Sequence, residues 1–287
     1  LGLFIPDFKL NLDYKSKYMT IFHSLILGII EGLTEFLPIS STAHLILVGE
    51  WLKIPSTEFL KTFEISIQLG AILAVVILYW KKIFSSWKLI FKIATAFIPT
   101  AIIGLAFYKI VKNYLMENNY IIAAALLIGG LILIVFEKYY SKKNLAPATE
   151  NSLVRDNDKI NISYKQSLII GVFQSLAIIP GVSRAAATII GGLSLGVNRK
   201  NIVEFSFLLA IPTMIAATGL DLYKNQAALI GLGSQELLIW LVGLAASLMT
   251  AIIGVKFFIK FIQKNNFIPF GWYRIALGLI VLAWLWF

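Results

Sequence analysis

Apolar residues in this chain come in long blocks separated by short polar stretches. Six blocks, at about 62–80, 89–111, 120–137, 202–220, 236–259 and 268–287, are long enough for helices that cross a hydrocarbon core, which takes about 20 residues at about 1.5 Å each. They fall three and three. Before each trio lies a segment of another kind, 21–54 and 164–198, in which two short apolar pieces flank a polar turn containing proline: LPISST at 37–42 and IPGVSR at 179–184. Neither piece spans a bilayer alone. Each segment therefore reads as a re-entrant helical hairpin, tolerated at membrane depth only where the broken backbone is buried in protein or lines a wet cavity. The predicted fold class is an all-α integral membrane protein with six transmembrane helices plus two re-entrant helical hairpins.

The two halves resemble each other at their unusual positions. Gly28, Glu31 and Ser40 align with Gly171, Gln174 and Ser183 at an offset of 143, and Glu64 and Ser66 with Glu204 and Ser206 at 140. One hairpin that does not cross and three helices that do leave the second half starting on the opposite side of the membrane. The expectation is an inverted repeat, with the binding site at the broken elements. Residues 1–18 read as an N-terminal extension ahead of a candidate start at Met19. Residues 19–287 read as a single membrane domain: repeat one at 20–137, a cytoplasmic linker at 138–163 and repeat two at 164–287.

Composition agrees: 59% of the 287 residues are hydrophobic and only 14% are charged, against roughly 25% in soluble domains. A net charge of +10 would suit a polyanion, but the 25 Lys and Arg residues are scattered between apolar blocks with no dense basic run, which argues against nucleic acid as a partner. About twice as many lie on the side of loops 81–88, 138–163 and 256–267 as on the other, so the positive-inside rule makes that side cytoplasmic and puts both termini outside. The chain has no cysteine. Disulfides, thiolate metal sites and a cysteine nucleophile are excluded, leaving oxygen groups and the imidazoles of His23 and His44 for any chemistry.

That chemistry concentrates in the broken segments. In EGLTEFLPISSTAHLIL, Glu31 and Glu35 are one helical turn apart, with side chains about 6 Å from each other on a shared face. Two carboxylates so close in low dielectric require either a shared proton, which makes one a general acid or base, or a divalent cation. Ser40, Ser41 and Thr42 follow Pro38; one of them suffices as an N-cap, and a spare hydroxyl beside a carboxylate and His44 has the parts of an activated nucleophile. His23 reads as an interfacial residue and Asp221 as an exposed loop residue. In PGVSRAAATIIGG, Ser183 is placed to cap the next helix and Arg184 stands in its first turn, with Thr188 four residues on. Helix N-H groups and a guanidinium fork form an anion site suited to phosphate. Glu64, Gln68 and Glu204 read either as support for the site or as helix-helix hydrogen-bonding groups.

EGLTEFLPISSTAH and PGVSRAAAT resemble the two signature motifs of the bacterial undecaprenyl-diphosphatase family, also called the bacitracin-resistance protein family; TFEISIQLGAILAVV, EFSFLLAIPTM, ATGLDLYK and FIPFGWYR look like its other recurring stretches. The resemblance runs from about residue 20 to the end. It implies hydrolysis of undecaprenyl diphosphate to undecaprenyl phosphate and inorganic phosphate, recycling the lipid carrier of peptidoglycan synthesis, in the bacterial inner membrane, with an active site open to the outer face and a divalent cation, Mg or Ca, as cofactor. The expected partners are the polyprenyl diphosphate and membrane lipids, and a homodimer is one expected assembly. Carried over by residue, the resemblance gives Glu35, Ser41, His44 and Arg184 as catalytic, with Ser41 the favoured nucleophile. It gives Ser40, Thr42, Ser183, Arg184 and Thr188 as substrate-binding, and Glu31 with Glu35 as metal ligands. The chain departs from the family where Ala185 and Ala186 stand for the usual Ser-Gly and Ala43 for the usual Gly.

Two mechanisms fit these groups: attack by Ser41 with Glu35 as base, or direct attack by water. A polyprenyl-phosphate transporter or flippase is the competing class, because inverted repeats with broken helices are also transporter architecture.

Overall fold

A computed structural model of the chain describes residues 19–115, 118–144, 160–224 and 233–286. The extension expected at 1–18 and residues 145–159 of the expected linker lie outside the described residues. Among the described residues the chain forms α1 (Ile21–Thr34), α2 (Ser41–Trp51), α3 (Glu58–Phe84), α4 (Trp87–Ile110), α5 (Asn119–Asn144), α6 (Tyr164–Ser175), α7 (Arg184–Ser194), α8 (Arg199–Lys224), α9 (Ser234–Ile262) and α10 (Ile268–Trp286), with no strand. Six of these, α3, α4, α5, α8, α9 and α10, are long and apolar enough to cross a membrane.

The long helices overrun the apolar blocks that announce them. The block at 62–80 becomes Glu58–Phe84, because hydrogen bonding continues past the hydrocarbon edge until a cap ends it: Thr57 accepts from the Leu60 N-H at 3.1 Å. For the same reason α8 carries Asp221 inside the helix, where it is buried, rather than in the exposed loop suggested by its charge.

The short helices stop where proline forbids continuation. Pro38 lacks an N-H and bars the α conformation at Leu37, so α1 ends at Thr34, a turn earlier than the proline itself, and the backbone tightens through Leu37 N to Thr34 O at 3.2 Å. Glu35 keeps helical dihedrals and donates its N-H to Glu31 O at 2.9 Å. The counterpart α6 ends at Ser175 and runs through a 3-10 turn, Leu176–Ile178, before Pro180. Both first helices begin with reciprocal caps, Thr20 with His23 and Ser163 with Gln166. His23 thus has a capping role at the start of α1.

Helix pairings keep their pattern when the halves are exchanged. Helix α1 packs on α9 and α6 on α4; α3 packs on α9 and α8 on α4; α3 meets α8, and α5 meets α10. Small residues permit the closest approaches, as expected where packing rather than water exclusion holds helices together. A Cβ at Gly28 would lie 2.9 Å from Ala246 Cβ, and one at the aligned Gly171 would lie 2.8 Å from the Ala96 carbonyl carbon. Next to the first break the core is aromatic: Phe36 meets Phe207 edge-on at 5.2 Å between centroids, Phe207 meets Phe258 at 6.0 Å, and Phe258 meets Phe270 at 5.5 Å.

Candidate active site

Each break ends in a serine held in a conformation that L-residues avoid. Ser40 caps α2 with φ 71° and Ser183 caps α7 with φ 70°; their hydroxyls accept from Ala43 N at 3.4 Å and Ala186 N at 3.3 Å. Left-handed backbone at a non-glycine residue costs of order 1–3 kcal/mol and persists only where the surroundings impose it. Much of the imposition comes from Arg274 on α10. Fully buried, it donates through Nη1 to Pro38 O at 3.3 Å and Val182 O at 2.9 Å, and through Nη2 to Gly181 O at 2.8 Å and Ala125 O at 2.9 Å. One guanidinium thereby fastens both breaks to each other and to α5. Gly181, at φ 92°, is needed there: a Cβ would stand 2.9 Å from Ile122 O.

Between the fastened breaks lies a cavity of about 260 Å³ whose lining includes Glu35, Ser40, Ser41, Thr42, Ser183 and Arg184. The Ser41 hydroxyl donates a short hydrogen bond to Glu35 Oε2, while Arg184 Nη2 reaches Glu35 Oε1 at 3.4 Å. Arg184 is held from behind by Nη1 donating to Ser206 O at 2.7 Å, and its guanidinium lies 6.0 Å over the Phe36 ring. Its Nε is buried with no hydrogen-bond partner among the described residues. A carboxylate, a hydroxyl and a guanidinium from chain positions about 143 apart are thus joined in one hydrogen-bonded group, and the N-termini of α2 and α7 both open onto the same space. The positive ends of two helix dipoles and Arg184 favour a multiply charged anion there.

Glu31 is completely buried, and among the described residues neither of its carboxylate oxygens has a hydrogen-bond partner. Among the described residues no group of three or more His, Cys, Asp or Glu side chains is arranged to hold a metal ion. Glu31 and Glu35 alone would leave other positions to water and phosphate oxygens, the ordinary way Mg is held.

Other site residues suggested by the sequence stand back from the cavity. His44 does not line it: Nδ1 lies 2.7 Å from Ser40 O and Nε2 2.7 Å from the Tyr273 hydroxyl, with the two rings stacked. Thr188 shares a 2.6 Å hydrogen bond with Ser206 Oγ, and its hydroxyl also reaches Arg184 O at 3.0 Å, buttressing the backbone that carries the guanidinium. Gln68 lines the cavity, whereas Glu204 pairs with Lys82 elsewhere along the α3 and α8 contact. Arg274 and Tyr273 went unremarked in the sequence; their one signal is that FIPFGWYR resembles a recurring stretch. Gln174 stands out only through its alignment with Glu31. It donates to Thr100 Oγ1 at 2.8 Å and Thr213 Oγ1 at 3.1 Å, and all three line the cavity.

The sequence profile of the family described as Bacitracin resistance protein BacA matches residues 24–280. Proteins named undecaprenyl-diphosphatase are similar along nearly their whole length. That of Wolinella succinogenes is 50% identical over 267 residues, covering 93% of this chain and 99% of the relative. That of Sulfurihydrogenibium sp. is 49% identical over 266 residues, 93% and 100% of the two chains. One from Campylobacter jejuni subsp. jejuni is 48% identical over 264 residues, 90% and 92%. With the cavity built from the two motifs and the match running through six membrane-length helices, this chain belongs to the bacitracin resistance protein BacA family.

Proposed function

We propose that the protein hydrolyses undecaprenyl diphosphate to undecaprenyl phosphate and inorganic phosphate. The observation that carries the reading is the Ser41–Glu35–Arg184 group at the joined breaks, which pairs a nucleophile with a base and a base with an anion-binding fork. In this reading the Ser41 hydroxyl passes its proton to Glu35 as Oγ attacks the terminal phosphorus. The bond from that phosphorus to the bridging oxygen breaks and undecaprenyl phosphate departs; water then releases phosphate from the serine. Arg184, with its unpartnered Nε, and the N-H groups opening α2 and α7 carry the charge that develops on the phosphoryl oxygens. His44 acts through Ser40, whose carbonyl it meets, and is a positioning residue.

Mg or Ca belongs to the same reading. Glu31 and Glu35 would hold it as hard oxygen donors, and Glu31 has two buried oxygens without a protein partner. When bound, such a cation neutralises and polarises the phosphate oxygens. Every group named comes from one chain, so a homodimer is not needed for the site.

The symmetry of helix pairing supports an inverted repeat, the short paired helices support re-entrant hairpins, and the Lys and Arg distribution supports a site open to the outer face. The same symmetry would serve an alternating-access carrier of polyprenyl phosphate. Phosphate release by purified protein, with Mg and with chelator, decides between the two. Release that chelation abolishes is expected; transfer of the lipid across vesicles without release would make the carrier the better reading. Release by Ser41→Ala at the wild-type rate would replace serine attack by direct attack of water.

A further inference from the structure

Helices α4 and α8 carry the same tripeptide, Ile98-Pro99-Thr100 and Ile211-Pro212-Thr213, although they are not counterparts in the repeat. Thr100 Oγ1 donates to Gly171 O at 3.2 Å and Thr213 Oγ1 to Leu209 O at 2.8 Å. Both hydroxyl protons are therefore spent, and the two oxygens only accept, which turns the Gln174 amide so that its nitrogen faces them. The Gln174 oxygen is buried and has no hydrogen-bond partner among the described residues, on a residue 1% exposed that lines the cavity.

One turn beyond each threonine, on the same face, stand Gly104 and Ala217, which also line the cavity. Each stands roughly 26 Å along its own helix from the start of α4 or α8. A side chain begun at Gly104 would meet nothing within 4 Å among the described residues, and Ala217 is exposed. The polar lining residues Glu35, Ser41 and Gln174 are buried, while the exposed lining residues, Ala217 and Ile179, are apolar. Ile102, Leu105 and Ile215, beside the gap, are 64%, 65% and 55% exposed, as suits contact with lipid chains.

We infer that the seam between α4 and α8 at Gly104 and Ala217 is where the hydrocarbon chain of the lipid substrate leaves the cavity sideways into the bilayer. The Gln174–Thr100–Thr213 group marks the boundary between headgroup and tail. This rests on the diphosphatase reading. A polyprenyl diphosphate held by Arg184 must place its chain somewhere, and among the described residues this is the apolar, exposed end of the same cavity.

Two experiments test it. Gly104→Trp and, from the opposite wall, Ala217→Trp are assayed for phosphate release from undecaprenyl diphosphate and from isopentenyl diphosphate, whose five carbons need no exit. The ratio of kcat/KM for the long substrate to that for the short one is expected to fall at least tenfold in both variants. An unchanged ratio in both overturns the inference. Because the chain has no cysteine, Gly104→Cys places a unique thiol at the seam, with Leu131→Cys on α5 as a lipid-facing control. Undecaprenyl phosphate is expected to slow maleimide labelling of the seam thiol severalfold relative to the control, and inorganic phosphate is not. Equal slowing at both positions, or none, counts against the seam. If the wild type releases phosphate from neither substrate while the seam thiol is still protected, the diphosphatase reading fails and the tail site stands.

Discussion

Ser40 and Ser183 hold nearly the same left-handed backbone, φ 71° and 70°, at the N-caps of α2 and α7. Two independent turns have reached one strained solution, and both turns are fastened by Arg274. Glycine would relieve about 1–2 kcal/mol of strain but forfeit a few tenths of a kcal/mol of capping and add about 0.5–1 kcal/mol of unfolded-chain entropy, whereas alanine keeps the strain and loses the cap, at about 1 kcal/mol. Ser183→Gly is therefore expected to melt within a degree or two of wild type in detergent, as roughly cancelling contributions imply, and Ser183→Ala measurably lower.

Arg274→Met should do far more damage. It removes the donors for four backbone carbonyls at once, and the three in the breaks are left unpaired at a cost of at least about 3 kcal/mol, since each unpaired buried acceptor costs about 1–3 kcal/mol. Thermal stability and phosphate release are expected to fall together. Arg274→Lys should recover little of either, because a single ammonium lacks the fork that spans both breaks.

Glu35 and Ser41 share a hydrogen bond, and in the proposed mechanism they act as a unit. Glu35→Gln and Ser41→Ala are each expected to lower kcat by about 10²–10⁴, the range for loss of a positioned proton acceptor or its nucleophile. The double variant should be no slower than the worse single one. A multiplicative loss, measured by steady-state phosphate release, would mean that the two groups serve separate steps.

Glu31 is buried with no partner for its carboxylate among the described residues, so without the proposed metal it burdens the fold. Glu31→Gln should raise the melting temperature of chelator-treated protein. Mg at about one hundred times its Kd should stabilise the wild type by about 2.7 kcal/mol and leave the variant unmoved. Thermal shifts with and without chelator check both signs; a variant stabilised by Mg as much as the wild type would remove Glu31 from the ligand set.

Much of the site was legible before any coordinates. Glu35, Ser41 and Arg184 stand in apolar surroundings where a polar side chain costs so much that its presence argues for a use. The roles proposed for them follow from the resemblance. His44 shows the limit: its position in the first turn of α2 was readable, but which way the ring turns depends on Tyr273, 229 residues later. Arg274 lies nearly two turns into apolar α10, which marks it as unusual without saying what it holds. Only the convergence of Pro38, Gly181 and Val182 carbonyls on its guanidinium makes it a fastening. The Thr100 and Thr213 pair was invisible for a related reason, since threonine after proline in a long helix has no local oddity.

The sequence by itself determined the helices and their breaks, because hydrophobic length, proline and capping residues act over one or two turns and need no partner. The tertiary structure decided which polar groups share a cavity, which of them are satisfied, and which of the residues lining that cavity are exposed. Those outcomes depend on side chains from distant parts of the chain meeting within hydrogen-bond range, and a hydrogen bond in low dielectric is decided by tenths of an ångström that no local pattern encodes.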